Sequence, residues 1–221
     1  MTSEVFQIPN YFDYGATFLW AVSGALVAAR RGYDISGMLA LALVSSTGGG
    51  LLRDGVFLQN GPPVLVRTPV YLLIILAAAL LVRLGGSQLR KLPNILRVHL
   101  VQIVDALGLG AYAVVGMQLS LAAGLSLPGT ALVGVLNAVG GGVLRDVLTG
   151  QPVELFKPGT LLAIAAMAGC LTFLLLVEGL KVPAILAAWP TIIVTFLIRT
   201  ISVRYDIRTR PLRDFIPEDA K

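Results

Sequence analysis

The heptapeptide GGGLLRD at residues 48–54 recurs as GGGVLRD at residues 140–146. Each copy has three glycines, then two apolar residues, then an arginine and an aspartate. The same offset of 92 residues relates three further pairs: Asp13 with Asp105, Gly24 with Gly116, and Gly37 with Gly129. An internal repeat of this length indicates a duplicated structural unit. Residues 13–84 are therefore predicted to duplicate residues 105–176.

The composition places this repeat in a membrane. Hydrophobic residues make up 56% of the chain and charged residues only 13%, against roughly 25% charged in an ordinary soluble domain. The apolar residues form long runs, such as residues 70–82 and 161–177, and a membrane crossing needs roughly 17 to 25 mostly apolar residues. The chain is therefore predicted to cross a membrane several times.

Hydropathy, together with proline, glycine and charged residues between the apolar runs, predicts an all-α membrane protein with seven transmembrane helices. The predicted helices cover residues 14–29, 37–57, 68–84, 96–119, 130–148, 159–178 and 182–201.

Each copy of the repeat contains three predicted crossings, which is an odd number. The second copy must then enter the membrane from the opposite face, and this predicts a 3+3 inverted repeat with one additional C-terminal helix. The predicted segments are an extramembrane segment at 1–12, the first repeat at 13–84, a cytoplasmic linker with the start of the fourth helix at 85–104, the second repeat at 105–178, the seventh helix at 179–201, and a basic cytoplasmic tail at 202–221.

The distribution of lysine and arginine predicts the orientation. One face would collect most of the basic residues near the helix ends, whereas the other would have only Arg67 and Lys181. The positive-inside rule then places the basic face in the cytoplasm, with the N-terminus outside and the C-terminus inside the cell (inner) membrane. The formal net charge of +5 is explained by these loop residues, so nucleic acid is not an expected partner.

The glycine triplets are unusual inside membrane helices, because each glycine costs about 1 kcal/mol of helix propensity relative to alanine. They are predicted to kink or interrupt the second and fifth helices and to expose backbone groups, which at membrane depth requires burial in protein or a wet cavity. The predicted pore-lining residues are Gly48, Gly49, Gly50, Gly140, Gly141, Gly142, Ser45, Ser46, Thr47 and Asn137. The alternative is that the glycines are surfaces for close helix packing.

Charged residues follow both triplets. A charge near the bilayer centre costs roughly 2.5 to 3.5 kcal/mol, so such residues normally face the protein interior and pair with one another. We expect two charged pairs in the pore region: Arg53 with Asp54, and Arg145 with Asp146. In the packing alternative, the first pair would simply anchor a helix end. Asp13 and Asp105 are interpreted either as entrance charges for cations or as helix caps.

These motifs resemble those of the bacterial "glycine transporter domain" membrane family, whose fold is shared with trimeric intracellular cation (TRIC) channels. The resemblance rests on the doubled GGG-x-LRD motif and on the following PPV and QPV sequences, and it covers residues 13–200. It implies a homotrimer with one pore per subunit and conduction of monovalent cations, with potassium preferred over sodium. It implies no cofactor, only permeant potassium and, optionally, a bound lipid among the membrane lipids that surround the protein.

Two other functions compete with a channel. A secondary transporter of a small solute such as glycine could use the two arginines to hold a carboxylate. A non-conducting assembly protein is the second alternative, although no large partner domain is evident in the sequence. The sequence shows no Ser-His-Asp arrangement, phosphate-binding loop or His-Glu-x-x-His motif, so an enzyme and a metal site are not expected.

Overall fold

The computed structural model describes residues 10–59, 61–157 and 161–207, and within these ranges the chain is helical, with no strand. Its nine α-helices in the described ranges are α1 (Asn10–Arg31), α2 (Ile35–Leu52), α3 (Val64–Arg67), α4 (Val70–Leu84), α5 (Gly86–Lys91), α6 (Asn94–Ala122), α7 (Leu127–Leu148), α8 (Leu162–Leu174) and α9 (Ala184–Arg204). Two π-helical segments, Arg53–Leu58 and Leu175–Gly179, extend α2 and α8.

Six helical stretches in the described ranges are long and apolar enough to cross a membrane: Asn10–Arg31, Ile35–Leu58, Val98–Ala122, Leu127–Leu148, Leu162–Gly179 and Ala184–Arg204. The predicted third crossing corresponds to α4, which is apolar but has only 15 residues. At 1.5 Å per residue it rises about 22 Å, less than the roughly 30 Å of a hydrocarbon core. The chain is thus an all-helical membrane protein with six candidate spans among its described residues.

The N-termini of α2 and α7 are capped in the same way. Asp34 caps α2 by accepting a hydrogen bond from the Gly37 amide at 2.8 Å. Ser126 caps α7 and accepts from the Gly129 amide at 3.4 Å. Side-chain oxygens at these positions satisfy amides that have no partner within the helix. The two caps lie 92 residues apart, so the sequence repeat fixes the beginning of both glycine-containing helices.

Four helices form the centre of the molecule: α1 and α7 each pack against both α2 and α6. Helix α4 covers α1 and α2, α8 packs against α6 and α7, and α9 packs against α6 and α8. Two apolar clusters fill the spaces around them. One joins α1, α2 and α4, with Ala25, Leu41 and Ile75 in its core. The other joins α6 to α9, with Val114 and Phe173 in its core.

The glycine triplets do not interrupt their helices. Residues 48–50 lie within α2 and residues 140–142 within α7, and the α-helix continues through both. The predicted interruption is therefore wrong, whereas a bend within either helix stays a prediction. The physical reason is that glycine's cost is a propensity of about 1 kcal/mol per residue, which tertiary packing overrides. The irregular segment lies just beyond the first triplet, where Arg53 and Asp54 begin a π-helix.

Candidate functional site

The glycine triplets lie where α2 crosses α7. Gly49 faces the backbone oxygen of Asn137, and Gly141 faces the backbone oxygen of Ser45. A Cβ atom at either glycine would overlap the oxygen that it faces. Glycine is thus required here by close backbone approach, as in membrane helix pairs that pack through small residues.

The contacts at this crossing are reciprocal. A Cβ atom at Gly48 would lie 2.7 Å from the Leu144 side chain, and one at Gly140 would lie 3.1 Å from the Leu52 side chain. Gly48 and Gly140 are 92 residues apart in the sequence, and so are Leu52 and Leu144. The same offset relates the pair Gly49 and Asn137 to the pair Gly141 and Ser45. The two copies of the motif therefore meet face to face with equivalent environments.

A polar network surrounds the crossing. The Tyr112 hydroxyl donates to the backbone oxygen of Ser46 and lies 3.0 Å from the Thr17 hydroxyl. The Asn137 side-chain amide donates to the Tyr112 backbone oxygen at 2.6 Å. The Ser45 hydroxyl and the Asn137 side-chain oxygen are both buried, and neither has a hydrogen-bond partner among the described residues. Buried polar atoms of this kind are normally satisfied by water or a ligand.

Asp13, Arg53 and Asp54 form the first charge cluster. Arg53 donates to Asp54 through two nitrogens, at 2.6 and 3.0 Å. Tyr71 donates its hydroxyl proton to Asp13, and the opposite charges of Asp13 and Arg53 attract each other. Arg53 is only 3% exposed, so its charge is compensated within the protein.

This first cluster lines a small cavity of about 30 Å³. The cavity wall also includes Thr17, Ser46, Thr47, Gly50, Tyr71 and Tyr112. A water molecule needs about 10–15 Å³ of such volume, so the cavity can hold about two. The hydroxyls of Ser46 and Thr47 bond to the carbonyls of Ala42 and Leu43 on their own helix.

Asp105, Arg145 and Asp146 form the second charge cluster. Arg145 lies 3.0 Å from Asp105 and 3.2 Å from Asp146, and it also donates to the Ser23 hydroxyl at 2.6 Å. Ser23 in turn donates to Asp105. The Trp20 ring covers the guanidinium at 5.8 Å from the ring centre, which is cation–π distance. The arginine is therefore held by residues of α1, α6 and α7.

The second cluster is also connected to α9. The Glu154 amide donates to Asp146 at 3.0 Å, and Arg199 on α9 donates to the Glu154 carboxylate. Arg199 is 1% exposed. This series of contacts fixes α9 to the turn after α7 and so to the second motif.

The two clusters lie at different depths. Asp13 in the first cluster and Ser23, which contacts the second, are ten residues apart on α1. At 1.5 Å per residue they are separated by about 15 Å along the helix axis. The crossing of α2 and α7 connects to both clusters, because Arg53 and Arg145 follow the two triplets.

The structure distinguishes among the predicted site residues. Asp105 lies eleven residues after the first residue of α6 and is 5% exposed, with its carboxylate against Arg145. The cap interpretation is therefore wrong for this residue, whereas its role as an entrance charge stays a prediction. Asp13 lies in the first turn of α1 and lines the cavity. Of the six glycines, Gly142 faces Trp20 instead of the opposing helix backbone, and Gly50 has only the Arg53 side chain nearby.

Several residues at the site are not predicted from the motif. Tyr112, Tyr71 and Trp20 lie outside the repeated motif, yet they contact the crossing and the two charge clusters. Thr17 and Ser23 also lie outside the motif and contact Tyr112 and Arg145. A signal exists for Thr17, because Asp13, Thr17 and Trp20 follow each other at helical spacing on α1.

The two halves of the site differ in polarity although they carry the same sequence motif. Thr17, Ser46, Thr47 and Tyr112 on the first side correspond, at the offset of 92 residues, to Leu109, Ala138, Val139 and Trp20 on the second. The first side encloses the cavity, whereas Trp20 packs against Arg145 and Gly142 on the second. The first side is consequently better suited to hold water or an ion.

This architecture defines a class: a polytopic all-α membrane protein in which two motif-bearing helices cross between buried charge clusters. The chain superposes on the crystal structure of the TRIC trimeric intracellular cation channel orthologue from Rhodobacter sphaeroides with a TM-score of 0.80 and 29% sequence identity. The superposition covers 89% of this chain and 97% of that chain. The chain thus has the fold of TRIC channels.

The family assignment follows from sequence. The model of the glycine transporter family matches residues 10–86 and again residues 102–178. A "UPF0126 membrane protein" of Deinococcus radiodurans is 33% identical over 161 residues, covering 72% of each chain. The "UPF0126 inner membrane protein YadS" of Escherichia coli strain K12 is 28% identical over 198 residues, covering 90% of this chain and 93% of that one. The chain belongs to the glycine transporter family.

Proposed function

We propose that this protein is a channel for monovalent cations, with potassium preferred over sodium and one pore in each subunit of a homotrimer. The observation that carries the proposal is the composition of the two charge clusters. Each contains two carboxylates and one arginine, so with ionised carboxylates each has one more negative than positive charge. Such a field favours cations and excludes anions.

The proposed path runs from the cavity of the first cluster, past the crossing of α2 and α7, to the second cluster. The unsatisfied oxygens of Ser45 and Asn137 at the crossing support a wet path, since buried polar atoms of this kind are usually solvated. The proposed lining includes the glycines of both triplets with Ser46 and Thr47. In a 3+3 inverted repeat with the N-terminus outside, the first cluster would face the cell exterior and the second the cytoplasm.

The crossing itself is the proposed gate. Backbone atoms of α2 and α7 are in contact there, as the environments of Gly49 and Gly141 demonstrate. A cation can pass only after these helices move relative to each other. Glycine makes such movement inexpensive, because no side chains have to be repacked between the two backbones.

The fold supports the same function. The superposed protein from Rhodobacter sphaeroides is described as a cation channel, and its sequence is 29% identical. The observed contacts disfavour the alternative in which the two arginines hold a carboxylate substrate. Arg145 is already occupied by Asp105 and Asp146, and two nitrogens of Arg53 are occupied by Asp54.

Single-channel recording of the purified protein in planar bilayers tests the proposal. With potassium on one side and sodium on the other, we expect unitary currents whose reversal potential lies toward the potassium equilibrium potential. Protein-free bilayers are the control. Saturable uptake of labelled glycine into proteoliposomes without unitary currents would reject the channel and favour the transporter.

A further inference from the structure

A second cavity lies away from the charge clusters, where the C-terminal ends of α1 and α4 meet the N-terminus of α2. Its volume is about 310 Å³. Its polar rim includes Arg30 at the end of α1, Arg83 at the end of α4, and Asp34. Its apolar wall includes the buried side chains of Leu26, Met38 and Val82, together with Leu100 and the more exposed Ile35. The cavity therefore combines a cationic rim with an apolar interior.

Arg30 and Arg83 both line this cavity. Neither Arg30 nor Arg83 forms an ion pair or a side-chain hydrogen bond within the described part of the chain. Basic residues that only determine topology extend into water and need no shared cavity. Here residues from two different helices line one space, and guanidinium groups bind phosphate through paired hydrogen bonds.

Asp34, the remaining charged group at the rim, does not cancel the preference for an anion. Asp34 is engaged as the cap of α2, accepting from the Gly37 amide at 2.8 Å. The carboxylate of Asp34 therefore compensates the positive end of the α2 dipole. The two arginines exceed this single, already hydrogen-bonded carboxylate by one positive charge.

We propose that this cavity binds an anionic phospholipid, with the phosphate between Arg30 and Arg83 and the upper part of an acyl chain against Leu26, Met38 and Val82. The apolar wall distinguishes a lipid from a free phosphate ion, because inorganic phosphate would gain nothing from it. In the predicted orientation the cavity opens toward the cytoplasmic leaflet, where anionic lipids attract basic side chains. The site is separate from the proposed pore.

The test measures lipid binding and thermal unfolding of the full-length protein in detergent. Short-chain phosphatidylglycerol is titrated against phosphatidylcholine with the same acyl chains, and inorganic phosphate is a third ligand. The variant Arg30→Gln/Arg83→Gln removes the rim charges. Lys157→Gln/Arg204→Gln is the matched control, because it removes two exposed basic side chains that do not line the cavity.

We expect phosphatidylglycerol to stabilise the parent and the control equally, and to bind the rim variant at least about tenfold more weakly, given about 1 kcal/mol per basic residue near an anionic lipid. Equal binding to the parent and the rim variant would overturn the proposal. Equal stabilisation by phosphatidylcholine would also overturn the proposal. Stabilisation by inorganic phosphate alone would overturn it in favour of a site for a free anion.

Discussion

Gly49 on α2 packs directly against the backbone carbonyl of Asn137 on α7, leaving no space for even a methyl group. The relation repeats on the other side of the crossing, where Gly141 packs against the carbonyl of Ser45. The motif therefore contributes in two ways: its glycines bring two backbones together, and its charged residues form ion pairs beyond that contact. Each contribution can be tested by itself.

Alanine substitutions should distinguish between glycines of one triplet. Gly49→Ala should destabilise the protein by about 1–3 kcal/mol, because it overpacks a backbone contact. Gly50→Ala should be neutral or slightly stabilising, since only the Arg53 side chain lies within 4 Å, at 3.7 Å. Thermal unfolding in detergent measures both. Equal unfolding temperatures for the two variants would contradict the close crossing.

Removing Arg145 should be strongly destabilising. Arg145→Gln leaves Asp105 and Asp146 buried without a compensating charge, and breaking a buried pair in this way costs about 3–5 kcal/mol. Arg204→Gln, at an exposed position of the same residue type, should change stability by about 0.5 kcal/mol or less. Adding Asp105→Asn to Arg145→Gln should restore part of the loss. No recovery in the double variant would argue against the Arg145–Asp105 pair.

The charge of the first cluster should affect conduction. Asp13→Asn removes the excess negative charge at the cavity, so we expect a lower potassium conductance in planar bilayers. Salt screens such effects, so the decrease should be larger at low than at high ionic strength. Glu178→Gln removes a carboxylate that pairs with Lys181 away from the cavity and serves as the control. A similar conductance change in both variants would show that Asp13 does not lie on the conduction path.

The orientation can be measured with single cysteines. Cys170 is buried and free, and Cys170→Ala provides the background. In that background Lys157→Cys should react with an impermeant thiol reagent only when the cytoplasmic face is accessible, and Lys181→Cys should react in intact cells. Both positions are exposed. The opposite labelling pattern would invert the proposed topology and the cytoplasmic placement of the lipid cavity.

The sequence predicted the helices well, because hydrophobic length and capping residues are local properties. The observed α6 (Asn94–Ala122) and α7 (Leu127–Leu148) differ from the predicted helices by at most three residues at either end. The π-helix at Arg53–Leu58 was not predicted. Short π-helical segments within or beside α-helices are rare, and the spacing of apolar residues gives no signal for them.

The site was predicted less completely. The pairing of Arg145 with its neighbour Asp146 follows from adjacency, but its contacts with Asp105 and Ser23 span 40 and 122 residues of sequence. Such partners depend on how α1, α6 and α7 pack, which periodicity does not specify. The same holds for Trp20, which covers Arg145 only because α1 lies beside α7.

By itself the sequence determined that this is a helical membrane protein carrying two copies of one motif, because the length of the apolar segments and the repetition of the motif are properties of the sequence alone. Only the tertiary structure decided what the glycines do. They stay helical and allow the backbones of α2 and α7 to touch, since the free energy gained from close packing exceeds the free-energy cost of placing glycine in a helix. It also decided that Asp105, predicted as an entrance charge or a cap, is a buried partner of Arg145, because burial makes pairing necessary.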